Sequence, residues 1–294
     1  MRQKNITKMH GLSIIELMVS MLVGIFLVGG LSTVYINSKV SDKMRSQVSE
    51  MEENARTALI TMRQVISHAG YPSEYALPVD KPFYAETNDI PNPTCRGCGA
   101  GNNLVSYKPI LGKKTENAAI AKRDTMVVVS MLDSPTNTSV GSTANIIEDC
   151  VGSEVQPECS ADPIDGMYSN AEAKVYNYLY IDTVEGRRAL MCMGSLGGAQ
   201  PIAENIESLQ FLYGVSEGGN MVFRNAEDVT SNNEWGSVVT VQVGILVRSE
   251  KEVLDTEEAK VFLVLDEEIT IPKDKRIYRA YTTTIVLPNM SASL

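Results

Sequence analysis

The side chains with the most chemistry to offer are five cysteines, two histidines and one oddly placed carboxylate. Cys95-Arg96-Gly97-Cys98 is a CxxC pair with two sharp readings. A redox dithiol should open a helix in a βαβ setting, but this pair stands in a run rich in Pro, Asn and Gly. A structural zinc site needs four ligands, and no second CxxC exists; Cys150 and Cys159 have the wrong spacing to complete one. In an oxidising compartment the ordinary use of such cysteines is structural disulfides. Cys150–Cys192 is the expected pair, tying a long loop to a strand, with Cys95–Cys98 as a further candidate. Cys159 is then the odd thiol, and Cys98–Cys159 is the alternative link. His10 and His68 are too isolated for a Ser-His-Asp or Cys-His site. Gly194-Ser195-Leu196-Gly197-Gly198 lacks the Lys-Ser/Thr end of a phosphate loop. Asp266, Glu267 and Glu268 could attract a cation, yet adjacent acids in a turn are ordinarily just solvated. No catalytic, metal or cofactor site emerges, so the expected role is non-enzymatic.

The odd carboxylate is Glu16. It is the only charged group in Leu12–Leu31, twenty residues that as a helix span roughly 30 Å, the thickness of a bilayer core. Before them, residues 1–11 carry Arg2, Lys4 and Lys8 and no acid. That basic flank predicts a cytoplasmic amino terminus and an exported remainder. A cleaved secretory signal would have an apolar region of roughly 7–15 residues ending in small-x-small. Here the run is longer and continues into Ser32-Thr33-Val34-Tyr35. A charged side chain in mid-span costs about 2.5–3.5 kcal/mol on insertion scales. Such a group is a functional candidate by default; the plain alternative is a glutamate reaching up to the headgroups.

The segment Gly11-Leu12-Ser13-Ile14-Ile15-Glu16-Leu17-Met18-Val19, after a short basic leader, resembles the type III signal of type IV prepilins and pseudopilins. The resemblance implies cleavage by a prepilin peptidase between Gly11 and Leu12, and N-methylation of Leu12. It also implies an assembly and register role for Glu16, facing the amino terminus of Leu12 on a neighbouring subunit. Leu12 and Ser13 replace the usual phenylalanine and threonine, and the family's helix-breaking proline is absent.

These groups need elements to hold them. No proline interrupts Leu12–Gly70, and from Val34 the apolar positions Val40, Met44, Val48, Met51, Ala55, Ala58 or Leu59, Met62 and Val65 or Ile66 recur at helical spacing. Ala69-Gly70-Tyr71-Pro72 supplies the stop. One helix of about 58 residues, roughly 87 Å long, is predicted, with Gly24, Gly29 and Gly30 as the places to bend. Tyr71–Asn103 reads as loop. Strands are expected at Thr125–Leu132, Val175–Asp182, Arg188–Met193, Ile206–Tyr213, Val238–Arg248, Val261–Leu265 and Ala280–Leu287, the second and third forming a hairpin. Few stretches could serve as βαβ crossovers, so a mainly antiparallel sheet follows. Alternation such as Thr240-Val241-Gln242-Val243 predicts one packed and one wet face, the packed face covering the helix stripe.

A second resemblance covers most of the chain. Asp182-Thr183, Glu185-Gly186-Arg187-Arg188-Ala189-Leu190-Met191-Cys192, Pro201-Ile202, Ile206–Tyr213, Trp235 and Arg279-Ala280-Tyr281-Thr282-Thr283-Thr284-Ile285 are similar to the PilW group of minor pilins. The implied fold is α+β and type IV pilin-like, one long N-terminal helix on a mainly antiparallel head with long loops. Its parts are a cleaved leader (1–11), a membrane half of the helix (12–31), an amphipathic half (32–70) and a periplasmic head (71–294). The implied protein is a structural minor pilin in a complex that primes pilus assembly and sits near the filament tip. Its implied partners are other minor pilins, the major pilin, the prepilin peptidase, the inner-membrane assembly platform and a tip adhesin. It would start as a single-pass inner-membrane protein and end in the pilus at the cell surface, serving twitching motility, adhesion or DNA uptake. The alternative is a minor pseudopilin of a type II secretion system; a further one is a membrane-tethered periplasmic binding module or enzyme.

Charge narrows these roles. With 26 basic and 36 acidic side chains the formal net charge is −10, and removal of the basic leader makes the remainder more acidic. Direct nucleic-acid binding, which needs cationic surface to displace phosphate counterions, is therefore not expected. At 44% apolar content the chain can bury a core.

Overall fold

In this computed structural model residues 13–70, 83–84, 123–132, 149–153, 173–194 and 198–291 are described. The expected loop at Tyr71–Asn103 lies almost wholly outside them. By its internal contacts the chain divides into two compact units, one ending at Gln47 and the other running Val48–Leu294.

The first element, α1 (Ile14–Ser67), is one continuous helix of 54 residues. It passes through Gly24, Gly29 and Gly30 without a break, because the i→i−4 ladder tolerates glycine at a cost of about 1 kcal/mol each. Ser32 Oγ and Thr33 Oγ1 donate to the carbonyls of Val28 and Gly29, at 2.7 and 3.1 Å. In the first unit every described apolar side chain from Ile14 to Met44 is exposed. In the second unit Met51, Ala55, Ala58, Met62 and Ile66 are at most 1% exposed, spaced by three and four residues. Val40 and Met44 continue the same stripe in sequence but are 50% and 37% exposed. Periodicity identifies the apolar face of a helix; it does not say what covers it.

Eleven strands follow among the described residues. Phe83–Tyr84 (β1), Met126–Leu132 (β2), Ala173–Val184 (β3), Arg187–Met193 (β4) and Ala199–Glu204 (β5) form a five-stranded antiparallel sheet in that order. Ile206–Glu217 (β6), Asn220–Arg224 (β7), Val238–Arg248 (β8) and Tyr278–Val286 (β11) form a second sheet, ordered β11-β8-β6-β7 and wholly antiparallel. Glu258–Val264 (β9) and Glu267–Asp274 (β10) pair as a separate hairpin. A short helix, α2 (Ala226–Ser231), capped by Asn225 Oδ1 on the Asp228 N–H at 2.9 Å, leads into β8. The β3–β4 connection is the two-residue turn Glu185-Gly186, with φ of 50° and 78°. Both residues in the left-handed region suit the twist of a tight hairpin.

The main core joins the α1 stripe to the inner faces of both large sheets: Leu179 and Leu190 from one, Leu209, Phe211, Tyr213, Val241, Val243 and Ile245 from the other. The architecture is α+β. Strand β11 is tied to the helix by Arg63 Nη2 donating to Thr283 Oγ1 (2.7 Å) and by Arg279 Nη1 on Glu52 Oε1 (2.9 Å). Asn289 Nδ2 donates to the carbonyl of Ala69 at 3.2 Å, just beyond the helix end.

The opposite face of the second sheet is not simply wet. Leu246 is fully buried with Val264, Ile269 and Ile271, because the β9–β10 hairpin lies across it. Gly244 marks the crossing: a Cβ there would stand 2.8 Å from Leu265 Cγ and from Val264 Cγ1. Gly244→Ala should therefore cost about 1–3 kcal/mol, the usual range for overpacking, read as a lower urea midpoint. Gly236, whose Cβ would meet nothing within 4 Å, is the control, and Gly236→Ala should leave the midpoint within about 0.5 kcal/mol equivalent.

Candidate assembly surface and head clamp

Two regions carry the chemistry singled out in the sequence. The first is the amino-terminal part of α1. It is the one described helix long and apolar enough to cross a membrane, and none of that window is buried. Isoleucine, leucine and valine line it, with Phe26 at 80% exposed. Glu16 lies in its first turn, exposed, where a carboxylate complements the positive helix end. Ser20 Oγ donates to the Glu16 carbonyl. Among the described residues no cation lies within ion-pair reach of the Glu16 carboxylate. Gly11 and Leu12, the expected cleavage and methylation positions, lie outside the described residues.

The second region is in the head. Cys150 and Cys192 are joined by a disulfide, with Cα atoms 6.3 Å apart across 42 residues of sequence. Cys192 sits on β4 opposite Leu179 and is fully buried. Around Cys150 the chain is organised by Asp149, whose Oδ1 accepts N–H groups of Val151 (3.1 Å) and Ser153 (2.9 Å), and by Asn177, whose Oδ1 accepts the Cys150 N–H at 2.7 Å. Gly194 allows this packing, since a Cβ there would fall 1.9 Å from Asp149 Oδ2. The glycine-rich run thus begins with a residue chosen for close approach. Cys95, Cys98 and Cys159 lie outside the described residues. Replacing both Cys150 and Cys192 by alanine should lower head stability by about 2–4 kcal/mol, as loop-closure entropy returns to the unfolded chain. Chemical denaturation with and without reductant checks it: the reductant should shift the wild-type midpoint more than that of the double variant.

Sequence reasoning missed the polar clamp between the two large sheets. Glu207 on β6 is 5% exposed. It pairs with Arg188 on β4 and, through Oε1, with Arg248 Nε at the end of β8, 2.8 Å away. Arg123 stands close by: its burial and the neighbouring Arg188 favour deprotonation, and Glu207 and Asp182 oppose that. Asp124 draws the start of β2 onto β6, its Oδ2 accepting the Phe211 N–H at 2.9 Å and its own N–H donating to the Leu209 carbonyl at 2.8 Å. At the rim Arg187 reaches Glu204 at 2.9 Å and Glu250 at 3.6 Å. The only sequence signal was an acid inside a strand with no other charge before its last residue.

Of the remaining candidates, His68 follows the helix and its Nδ1–H donates to the Gln64 carbonyl at 2.6 Å, serving a terminal acceptor. Glu267 is 4% exposed rather than solvated, because the hairpin it begins is packed against the sheet. Among the described residues no group of three or more metal-ligating side chains converges.

Comparison with known proteins gives two findings. A family model described as type IV pilus-assembly protein W (PilW) matches residues 178–289, from within β3 to the chain just after β11. A type IV-like pilin from Thermus thermophilus aligns in structure over 81% of this chain and 96% of its own, at 9% identity and a TM-score of 0.37. No curated protein matches the chain in sequence.

Proposed function

We propose that this chain is a structural subunit of the type IV pilus, a minor pilin that helps prime assembly and stays near the filament tip. The observation that carries the reading is the division within one helix. Its last turns bury Met51, Ala55, Ala58, Met62 and Ile66 in the β head, while its first turns leave an apolar surface wholly uncovered. A soluble domain does not spend that much apolar surface on water; a bilayer first, and then a bundle of like helices, gives it cover. The PilW match over the head supports the same reading.

On this account a prepilin peptidase removes residues 1–11 and Leu12 becomes the N-methylated amino terminus of a single-pass inner-membrane protein. The head is periplasmic until the subunit is drawn into the pilus with other minor pilins and the major pilin. Glu16 supplies the negative partner for the Leu12 amine of a neighbouring subunit. In a low-dielectric bundle either charge alone is costly, so the pair selects one axial register. The role needs no cofactor and no catalytic group.

Deletion of the coding sequence tests the reading against its nearest competitor, a minor pseudopilin. The expected result is loss of surface pili with exoprotein release unchanged, and pili restored by the full chain. Blocked exoprotein release with normal pili would overturn it.

A further inference from the structure

The outer edge of the second sheet carries an apolar strand that nothing among the described residues covers. Strand β7 ends the order β11-β8-β6-β7. It reads Asn220-Met221-Val222-Phe223-Arg224, with Met221 54%, Val222 37% and Phe223 41% exposed. The two-residue turn Gly218-Gly219, with φ of 55° and 85°, joins it to β6, and the Glu217–Asn220 pair flanks the turn. In such a hairpin the flanking pair exchanges both backbone hydrogen bonds and bonded pairs then alternate. Val222 is thus bonded to Val215, while the N–H and C=O groups of Met221 and Phe223 point to the free edge. Their side chains share the outer face and lie over Gly214, where a Cβ would meet Phe223 Cε1 at 3.2 Å and Met221 Sδ at 3.3 Å.

Natural edge strands are normally guarded by a lysine, a proline or a bulge. Strand β7 has no lysine or proline, and its register with β6 is unbroken from Tyr213–Arg224 to Glu217–Asn220. The chain on either side of it is acidic instead. Between Gly214 and Ser237 the chain has four acids, Glu217, Glu227, Asp228 and Glu234, against Arg224 alone. That arginine is already engaged by Glu217 at 2.9 Å and by Glu234. A second copy of the chain pairing here would bring two acidic rims together, which costs several kcal/mol by like-charge juxtaposition.

We propose that β7 is a docking edge for an extended segment of a different protein chain, one with alternating apolar residues and lysine or arginine at its flanks. Such a segment adds a strand to the sheet. Its backbone bonds to Met221 and Phe223, its apolar side chains cover theirs, and its basic flanks meet Glu217, Glu227 and Asp228. Strand addition of this kind draws affinity from main-chain hydrogen bonds and selectivity from the alternate side chains. The edge stands on the head's own geometry and goes beyond the assembly reading.

The test uses the full chain in detergent and short fluorescent peptides, read by anisotropy. One peptide alternates valine and threonine with lysine at both ends; a second carries glutamate ends. A third is the lysine peptide methylated on alternate backbone nitrogens. Expected is saturable binding of the lysine peptide, at least about tenfold tighter than the glutamate peptide and weakened by salt. Methylation or Phe223→Asp should each weaken it at least about tenfold, since each removes one half of the contact. Glu227→Lys, at an exposed position, should narrow the preference for lysine ends even if Phe223→Asp perturbs the fold. Absence of lysine-peptide binding, indifference to methylation, or a self-dimer that Phe223→Asp dissolves would each overturn the proposal. No pilus is needed for the measurement, so its failure and that of the assembly reading are separable.

Discussion

Glu16→Ala leaves removal of residues 1–11 intact and lowers recovery of the chain in sheared filaments by at least about tenfold, the consequence of losing about 1.4 kcal/mol of register-specific pairing. The sign is what makes this informative. Alanine is cheaper to insert than a carboxylate by roughly 2.5 kcal/mol or more at mid-span. If the amino-terminal surface worked through hydrophobic burial alone, the substitution would leave assembly unchanged or improve it. Loss is expected because Glu16 is exposed in the first turn, with no cation near it among the described residues, and on the proposed reading meets the Leu12 amine of a neighbouring subunit. Glu16→Gln, which keeps shape but not charge, should resemble alanine. Blotting of sheared filaments against total membranes gives the ratio directly, and normal recovery of either variant sinks the pairing.

Glu207→Gln should destabilise the head by about 3–5 kcal/mol, the range for removing one partner of a buried ion pair. Two guanidiniums, Arg188 and Arg248, converge on that one carboxylate, and Glu207 is 5% exposed. Removing the negative charge leaves them facing each other, with Arg123 near enough to add to the repulsion. Glu204→Gln at the rim is the contrast: its side chain is 54% exposed and that of its partner Arg187 45%. There solvent screens the pair, so a change under about 1 kcal/mol is expected. Urea midpoints of both variants measure the difference. Equal midpoints would mean that the clamp does not hold the sheets together.

Much of this was legible in the sequence because it was written in local period. The helix ends within a few residues of the glycine–proline stop, and Val238–Arg248 keeps its expected bounds. The other expected strands differ from those observed by a few residues at their ends. What was not legible depends on distant partners. Strand β5 contains Pro201 and was not among the expected strands, but as the outer strand of its sheet it can spare an N–H. Strand β10 begins in Glu267-Glu268, which reads as a solvated turn until the hairpin is laid across Leu246. Strand β7 is too short to show alternation. The Glu207 clamp joins positions separated in sequence, and no spacing rule could have paired them. Exposure of Val40 and Met44 was equally hidden, since pattern alone does not name the covering surface.

The central claim is that α1 begins as a processed prepilin helix, and intact mass tests it most directly. The full chain is expressed with a prepilin peptidase, extracted in detergent and weighed. Loss of residues 1–11 with addition of one methyl group at Leu12 is the predicted result. A chain that keeps residues 1–11, or is cut anywhere else, would contradict it.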